Sequence, residues 1–444
     1  MVWIVAILAL LFLISGAALA YVVGAATVMI FIASDNIRYL AVLPQRIFSQ
    51  LDVFALMAMV LFIMTGEVMN RTGVTRYLID FSMSLVGRFK GGLGHVNILT
   101  SIFFAGVSGS AVADAAALSN TLIPAMREQG YRNRYAGAVT AASSVIGPII
   151  PPSIILIFYG AWMQVSIGGL FAAGILPGLL LGMALMLANA IFAHRQDHPG
   201  GRGTPVPPLG SSFVKSIPAL MLPSIILGGI VFGIATPTEA AGVAVAAALV
   251  AGFFYGGVSF KIVWGCIERT AILTGSIFMV LAAAACAAYV GSLEQWPQQI
   301  ARLATESGVS GITFLLLINL IFLIAGMFMD VPMALALLVP LFGPAAVAQG
   351  VDPIHLGIIL CLNLTMGLIT PPLGGCLIVV SAISGENYWK YPIPTWPRPA
   401  VWIPPSSVFI SRFCSRPWII FFAPWKTRNC LLKSMPESSN RGCG

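Results

Sequence analysis

The chain has 444 residues, of which 58% are hydrophobic and only 9% charged, with a mean hydropathy of +0.94. Such values lie far outside the usage of water-soluble domains and exclude a soluble globular fold. The net charge of +8 does not point to nucleic acid, because residues 1–386 hold 15 Lys/Arg against 14 Asp/Glu and residues 387–444 hold eight against one.

Apolar stretches of 18 residues or more recur along the chain, as in 166–193, 216–235 and 312–329, each long enough to cross about 30 Å of hydrocarbon as a helix. About ten to twelve membrane segments are expected, some of them broken. The first begins at residue 2 and lacks a small-residue cleavage site before a soluble domain, so it reads as a retained helix. Residues 1–86 supply two or three helices with a polar connection at 34–50. Residues 87–193 form a first repeat with a hairpin at 96–126. A Pro-, Gly- and polar-rich linker occupies 194–215, further helices 216–303, and a second repeat with its own hairpin 304–386.

The two repeats are visible as identities in fixed register. Pro124-Ala125, Gln129-Gly130, Gly147 and Pro151-Pro152 return 220 positions later as Pro344-Ala345, Gln349-Gly350, Gly367 and Pro371-Pro372. Paired Gly/Pro interruptions at corresponding places of two halves are the best sequence pointer to a secondary transporter's binding site. Pro and Gly are common in membrane helices, but chance frequency does not explain several identities in one register.

Charge places the loops. Arg88 and Lys90 precede the segment 96–126, and Arg127, Arg132 and Arg134 follow it. Both ends therefore lie in the cytoplasm by the positive-inside rule, and the segment enters and returns as a re-entrant hairpin. Its tip is the run Gly106-Val107-Ser108-Gly109-Ser110; non-helical backbone at this depth survives only against protein or a cavity. The equivalent loop 345–355 has no Lys or Arg, which places it outside and makes the repeats inverted. Arg195, Arg202 and Lys215 return the linker to the cytoplasm.

Oxygen ligands gather at the breaks. Ser108, Ser110 and Asp114 lie at the first tip and the start of its returning helix, with Ser119, Asn120 and Thr121 one to two turns later. In the second half, Gly326 and Asp330 mark the hairpin turn, and Asn363, Thr365 and Thr370 surround the Gly367 break. Hydroxyls, carboxylates and exposed carbonyls suit a hard cation such as Na⁺, and a half-helix N-terminus suits an anion. Asp114 and Asp330 stand 10 and 14 residues before the aligned prolines, a correspondence that needs one helical turn of insertion. An ionisable residue at membrane depth is costly and so marks function; the alternative is that these hydroxyls only satisfy the broken backbone. Glu239, in Thr236-Pro237-Thr238-Glu239, fits a helix cap better than a ligand. Glu67, in an apolar run, faces either a cavity or a helix end.

Enzyme chemistry has little support. The four histidines (His95, His194, His198, His355) show no HExxH spacing, no GxSxG elbow occurs, and Gly210–Ser216 lacks the second Gly of a phosphate loop. Seven cysteines form no CxxC, and Cys266, Cys286, Cys361 and Cys376 sit in apolar helices as small hydrophobes. No catalytic residue and no cofactor is expected.

Several phrases resemble the large (permease) membrane subunit of tripartite ATP-independent periplasmic (TRAP) transporters, of the C4-dicarboxylate/sialic-acid type. They are AGVSGSAVADAAAL (105–118), GPIIPPS (147–153), SIGGLFAAGILPGLLL (166–181), ATPTEAAGVAV (235–245), MDVPMALALLVP (329–340), GVDPIHLGIILCLNLTMGLITPPLG (350–374) and VVSAISG (379–385). The resemblance covers about residues 1–386 and implies an all-α polytopic fold of two inverted repeats. In that fold an elevator-type transport domain stands beside scaffold helices from 1–86 and 216–303. It implies a bacterial inner-membrane protein importing an organic anion, typically a carboxylate, with Na⁺ as coupling ion. A periplasmic substrate-binding protein and a small four-helix membrane subunit are the implied partners. One implied sodium site comprises Ser108, Ser110, Asp114 and Gly147. The other comprises Gly326, Asp330, Asn363, Thr365, Gly367 and Thr370, with substrate near Ser108, Gly109, Pro151, Pro152, Pro371 and Pro372. The runner-up is a self-sufficient sodium–carboxylate carrier without a binding protein; neighbouring genes separate the two.

The tail departs from this pattern. Residues 387–444 hold nine of the 29 prolines, five of the nine tryptophans and three of the seven cysteines. No stretch of about 18 residues there is free of Pro or charge, whereas the resemblance implies a final apolar helix. A shift of reading frame near residue 386 accounts for the change, and a poorly ordered extension is expected.

Overall fold

Regular structure among the described residues is helical throughout. The structure is a computed structural model and describes residues 8, 11–12, 17–34, 37–200, 206–306 and 311–390. The tail from residue 391, and most of the expected first span, lie outside the described residues.

The helices run in chain order as α1 (Leu19–Ala33), α2 (Leu43–Leu51), α3 (Phe54–Arg71), α4 (Val74–Val86), α5 (Gly92–Ser108), α6 (Ala111–Glu128), α7 (Asn133–Ser144), α8 (Ile154–Met163) and α9 (Ile167–Arg195). After the linker come α10 (Leu209–Val231), α11 (Pro237–Phe254), α12 (Phe260–Leu293), α13 (Trp296–Glu306), α14 (Ile312–Phe328), α15 (Val331–Ala348), α16 (Pro353–Gly367) and α17 (Gly375–Ser384). Six of these (α3, α9, α10, α11, α12 and α15) are long and apolar enough to span a membrane, and the other apolar helices are shorter. Fewer helices reach full span length than the ten to twelve segments expected, because Gly and Pro cut the apolar runs of both repeats into half-helices. The linker also narrows: Pro208 stands at the N-cap of α10, so the connection runs 196–208 rather than 194–215.

The repeat proves stricter than the identities suggested. α5 and α14 begin at 92 and 312, α6 and α15 at 111 and 331, and α7 and α16 at 133 and 353, a shift of 220 each time. Left-handed glycines obey it as well: Gly91 and Gly311 before the hairpins, and Gly130 and Gly350 after them. Only a residue without Cβ tolerates that backbone cheaply. Both Pro-Pro bonds are cis.

The halves also pack reciprocally. α8 of the first lies on α15 and α16 of the second, while α17 of the second lies on α6 and α7 of the first. Such exchanged contacts are what a two-fold relation between halves produces. Together with the unequal charge of the loops at 129–132 and 349–352, they fit inverted repeats. α9 is drawn against the first break through small residues: a Cβ at Gly174 would meet the Ile149 carbonyl at 2.6 Å, and one at Gly178 would meet Ile150 Cγ1 at 2.4 Å. Small residues one turn apart are the usual means of close approach in lipid.

Two polar residues left ambiguous by sequence have structural roles. Thr236 and Glu239 form a complete capping box at the start of α11. Glu67 pairs with Arg71 one turn on, at 3.3 Å. Thr236→Ala is expected to lower stability by about 1 kcal/mol, the usual cost of a lost cap, and to leave transport per folded molecule unchanged. Thermal unfolding beside an uptake assay checks this; a transport defect without a stability loss would contradict it.

Candidate functional site

The first hairpin turns more tightly than its polar sequence suggests. α5 continues through Ser108, so only Gly109 and Ser110 are non-helical. Gly109 is left-handed (φ 60°), and its missing Cβ lets the tip press on the first break, where a Cβ would stand 2.6 Å from the Pro152 carbonyl. Ser110 caps α6 by accepting from the Ala113 amide, and its own amide donates to Ser108 Oγ at 3.3 Å.

Asp114, in the first turn of α6, is fully buried; the Ser108 hydroxyl at the tip is the one side-chain donor beside its carboxylate, and neither oxygen makes a well-formed hydrogen bond. It faces the Gly147 break so closely that a Cβ on Gly147 would lie 2.2 Å from Asp114 Oδ2 and 3.3 Å from the Ser144 carbonyl. The carboxylate is thus packed against the Gly147 backbone, beside a Ser144 carbonyl that accepts from the Gly147 amide. Burying a bare carboxylate beside a carbonyl is strongly unfavourable unless a cation or proton joins it. The helix N-terminus of α6 relieves only part of that cost.

The second half is built differently, and the proposed match of Asp114 with Asp330 is corrected. No turn is inserted: Asp330 lies 220 positions after Ser110 and occupies its place at the helix N-cap. Its Oδ1 accepts from the Val331 amide at 2.9 Å, and the residue keeps accessible surface. Asp114 corresponds to Ala334. Gly326 and Gly367 bring α14 and α16 into backbone contact, with a Cβ on Gly367 only 2.4 Å from the Gly326 carbonyl carbon. Asn363 donates to the Asn319 carbonyl and to Asn319 Oδ1, Thr365 to the Leu362 carbonyl and Thr370 to the Met366 carbonyl. These three side chains are therefore already engaged in holding the break together.

Expected substrate contacts divide by half. Pro151 and Pro152 are buried, together with the Ser108 and Gly109 tip; Pro371 is half-buried and Pro372 exposed. Gly106 abuts Pro223 of α10, which helps close the first break. At the second, Leu373 is 47% and Phe328 53% exposed among the described residues.

Sequence reasoning missed several residues. Asn97 of α5 donates to Thr140 and accepts from Ser143 of α7, all fully buried. The Asn319–Asn363 pair repeats that brace, with Ser143 and Asn363 again 220 apart. A lone Asn inside an apolar run was the available signal. Cys376, at the start of α17, is fully buried within electrostatic reach of both Asp114 and Asp330 and beside Ser144. It marks where the two halves meet. Asn120 and Thr121 only bond the preceding turn, while the buried Ser119 hydroxyl has no partner.

Comparison with known proteins decides the family. Residues 4–412 match the model of the tripartite ATP-independent periplasmic transporter, DctM component. The chain belongs to the TRAP large permease family. It is 39% identical over 363 residues to the C4-dicarboxylate TRAP transporter large permease protein DctM of Pseudomonas aeruginosa, covering 82% of this chain and 84% of that protein. It is 38% identical over 362 residues to the sialic acid TRAP transporter large permease protein SiaM of Vibrio cholerae, covering 80% and 83%. A third relative, the 2,3-diketo-L-gulonate TRAP transporter large permease protein YiaN of Escherichia coli, is 37% identical over 344 residues, covering 77% and 81%. The fold is similar to the YdaH transporter of Alcanivorax borkumensis, with a TM-score of 0.56, 17% identity and coverage of 87% and 89%. That likeness concerns the fold alone. As a TRAP large permease, the chain is the multi-pass membrane subunit of a secondary transporter.

The two glycines at the breaks should fail differently. A methyl at Gly367 meets backbone and one at Gly147 meets a side-chain carboxylate, so Gly367→Ala is expected to lose more folded protein than Gly147→Ala. Monodisperse yield by size-exclusion chromatography measures this; the reverse order would contradict the packing described.

Proposed function

We propose that this TRAP large permease imports an organic anion, of carboxylate type, by co-transport with Na⁺ across the bacterial inner membrane. The Asp114 carboxylate, fully buried, with Ser108 as its one side-chain donor and packed against the Gly147 break, carries the reading. An oxygen-liganded monovalent cation answers that arrangement without needing a preformed multi-carboxylate cage. Ser108 and Ser110 supply further oxygens at the tip, and Gly147, having no Cβ, lets the carboxylate come close to the break. In the second half, Asp330 with the Gly326–Gly367 contact and the carbonyls of that break forms the counterpart, and Asn363, Thr365 and Thr370 fix its shape.

Relatives named for C4-dicarboxylates, sialic acid and 2,3-diketo-L-gulonate support an organic-acid cargo. The helix starts after the two Pro-Pro breaks, with positive dipole ends, suit its carboxylate. A small membrane subunit and a periplasmic binding protein complete the system. Two inverted repeats that exchange their post-break helices suit a carrier that exposes its site to one side at a time, with the repeats moving against the scaffold as an elevator.

Uptake in reconstituted vesicles, with the partner subunits present, is expected to need a Na⁺ gradient and no ATP. Transport unchanged when K⁺ replaces Na⁺, or transport requiring ATP, would overturn the proposal. Asp330→Ala is expected to weaken the Na⁺ dependence of uptake more than it lowers folded yield, since a lost N-cap alone costs about 0.5–2 kcal/mol. Equal loss of yield with normal Na⁺ dependence would assign Asp330 to capping only.

A further inference from the structure

Away from the two breaks, α5, α7 and α9 leave an open surface crevice between them. Its walls are apolar, formed by Ile98, Val139, Ala142, Leu185 and Phe192, and its cytoplasmic end is polar, formed by Tyr135 and Asn189. That end is rigid. Tyr135 Oη donates to Asn189 Oδ1, Asn189 Nδ2 donates to the Gly91 carbonyl at 3.3 Å, and His198 lies 4.1 Å from Tyr135 ring to ring.

Chain position places two arginines at this end. Arg132 is the N-cap of α7, three residues before Tyr135, and Arg195 is the last residue of α9, three after Phe192. Both are exposed. Neighbouring cations are already matched: Lys90 binds Asp197 at 2.5 Å, and Arg134 lies 3.8 Å from Glu386. No ion pair among the described residues involves Arg132 or Arg195.

We propose that this crevice holds one anionic phospholipid of the cytoplasmic leaflet, with an acyl chain between α7 and α9 and its phosphate between Arg132 and Arg195. An apolar slot open to the bilayer is filled by lipid tail in preference to water. Two unmatched guanidiniums at headgroup level then select a negative head, as basic pockets between membrane helices do. The lipid would brace α7, which carries the Asn97-bonded residues and leads into the Gly147 break, against α9. This inference is independent of the Na⁺ reading.

The test compares dioleoyl phosphatidylglycerol with dioleoyl phosphatidylcholine, which share acyl chains and differ in head charge, on the full chain delipidated in detergent. Native mass spectrometry reads bound lipid, and thermal unfolding reads stabilisation. The wild type is expected to retain phosphatidylglycerol in preference and to be stabilised by it. Arg132→Gln with Arg195→Gln should weaken that binding roughly 25-fold, about five-fold per arginine, from ~1 kcal/mol for each basic group at an anionic surface. Arg132→Lys with Arg195→Lys should keep the preference, and Val139→Trp, filling the slot from a half-buried position, should reduce retention of both lipids. The proposal is overturned if the Gln variant keeps the full preference, if both lipids bind the wild type equally, or if glycerol phosphate alone reproduces the stabilisation. A Gln variant that does not fold leaves the decision to Val139→Trp and the two lipids on the wild type.

Discussion

A carboxylate in the middle of a membrane protein must be matched, and the arrangement around Asp114 follows from that requirement. Only the Ser108 hydroxyl stands near enough to donate to it, so the energy of burying it is offset only when a cation or a proton joins it. The residues around it serve that one condition. Gly147 has no Cβ to occupy the space, the helix break frees the Ser144 region from regular packing, and Gly109 lets the hairpin tip close over Pro152. Replace any of these with a larger residue and the carboxylate loses either its room or its enclosure.

The rest of the fold holds two broken segments in register. Breaks at membrane depth leave backbone groups that lipid cannot satisfy, and the protein answers within itself. Leu368 and Gly367 carbonyls accept from the Cys376 and Thr370 amides, and Leu373 donates to Met327 of the facing hairpin. Asparagines brace each break from the hairpin's entering arm, Asn97 in one half and Asn319 in the other. The halves then exchange their post-break helices, α8 and α17, so neither half has its packing complete alone.

Much of this was legible in the sequence. Identities such as Gly147/Gly367 and Pro151-Pro152/Pro371-Pro372 carry backbone geometry, which few residue types can supply, so the repeat showed through. The arginines around 88–134 gave the hairpin, because charge at membrane boundaries is costly to misplace. Side-chain roles were harder to read. Pairing Asp114 with Asp330 by residue type misled, since the register instead aligns Asp330 with Ser110 and gives the second half a capping carboxylate where the first has a hydroxyl. The inter-helix bonds of Asn97 and Asn319 were invisible because a polar residue in an apolar run names no partner. How the first break is covered depends on Pro223, a distant residue that no local pattern indicates.

The most direct test of a cation at Asp114 is the thermal stability of the purified chain titrated with NaCl against choline chloride at constant ionic strength. A ligand that binds the folded state alone raises the melting temperature with its concentration. The wild type is expected to be stabilised by Na⁺ and not by choline, and Asp114→Asn, which removes the charge while nearly keeping the shape, is expected to lose most of that response while remaining folded. An Asp114→Asn protein with an undiminished Na⁺ response, or a wild type stabilised equally by both salts, would contradict the account.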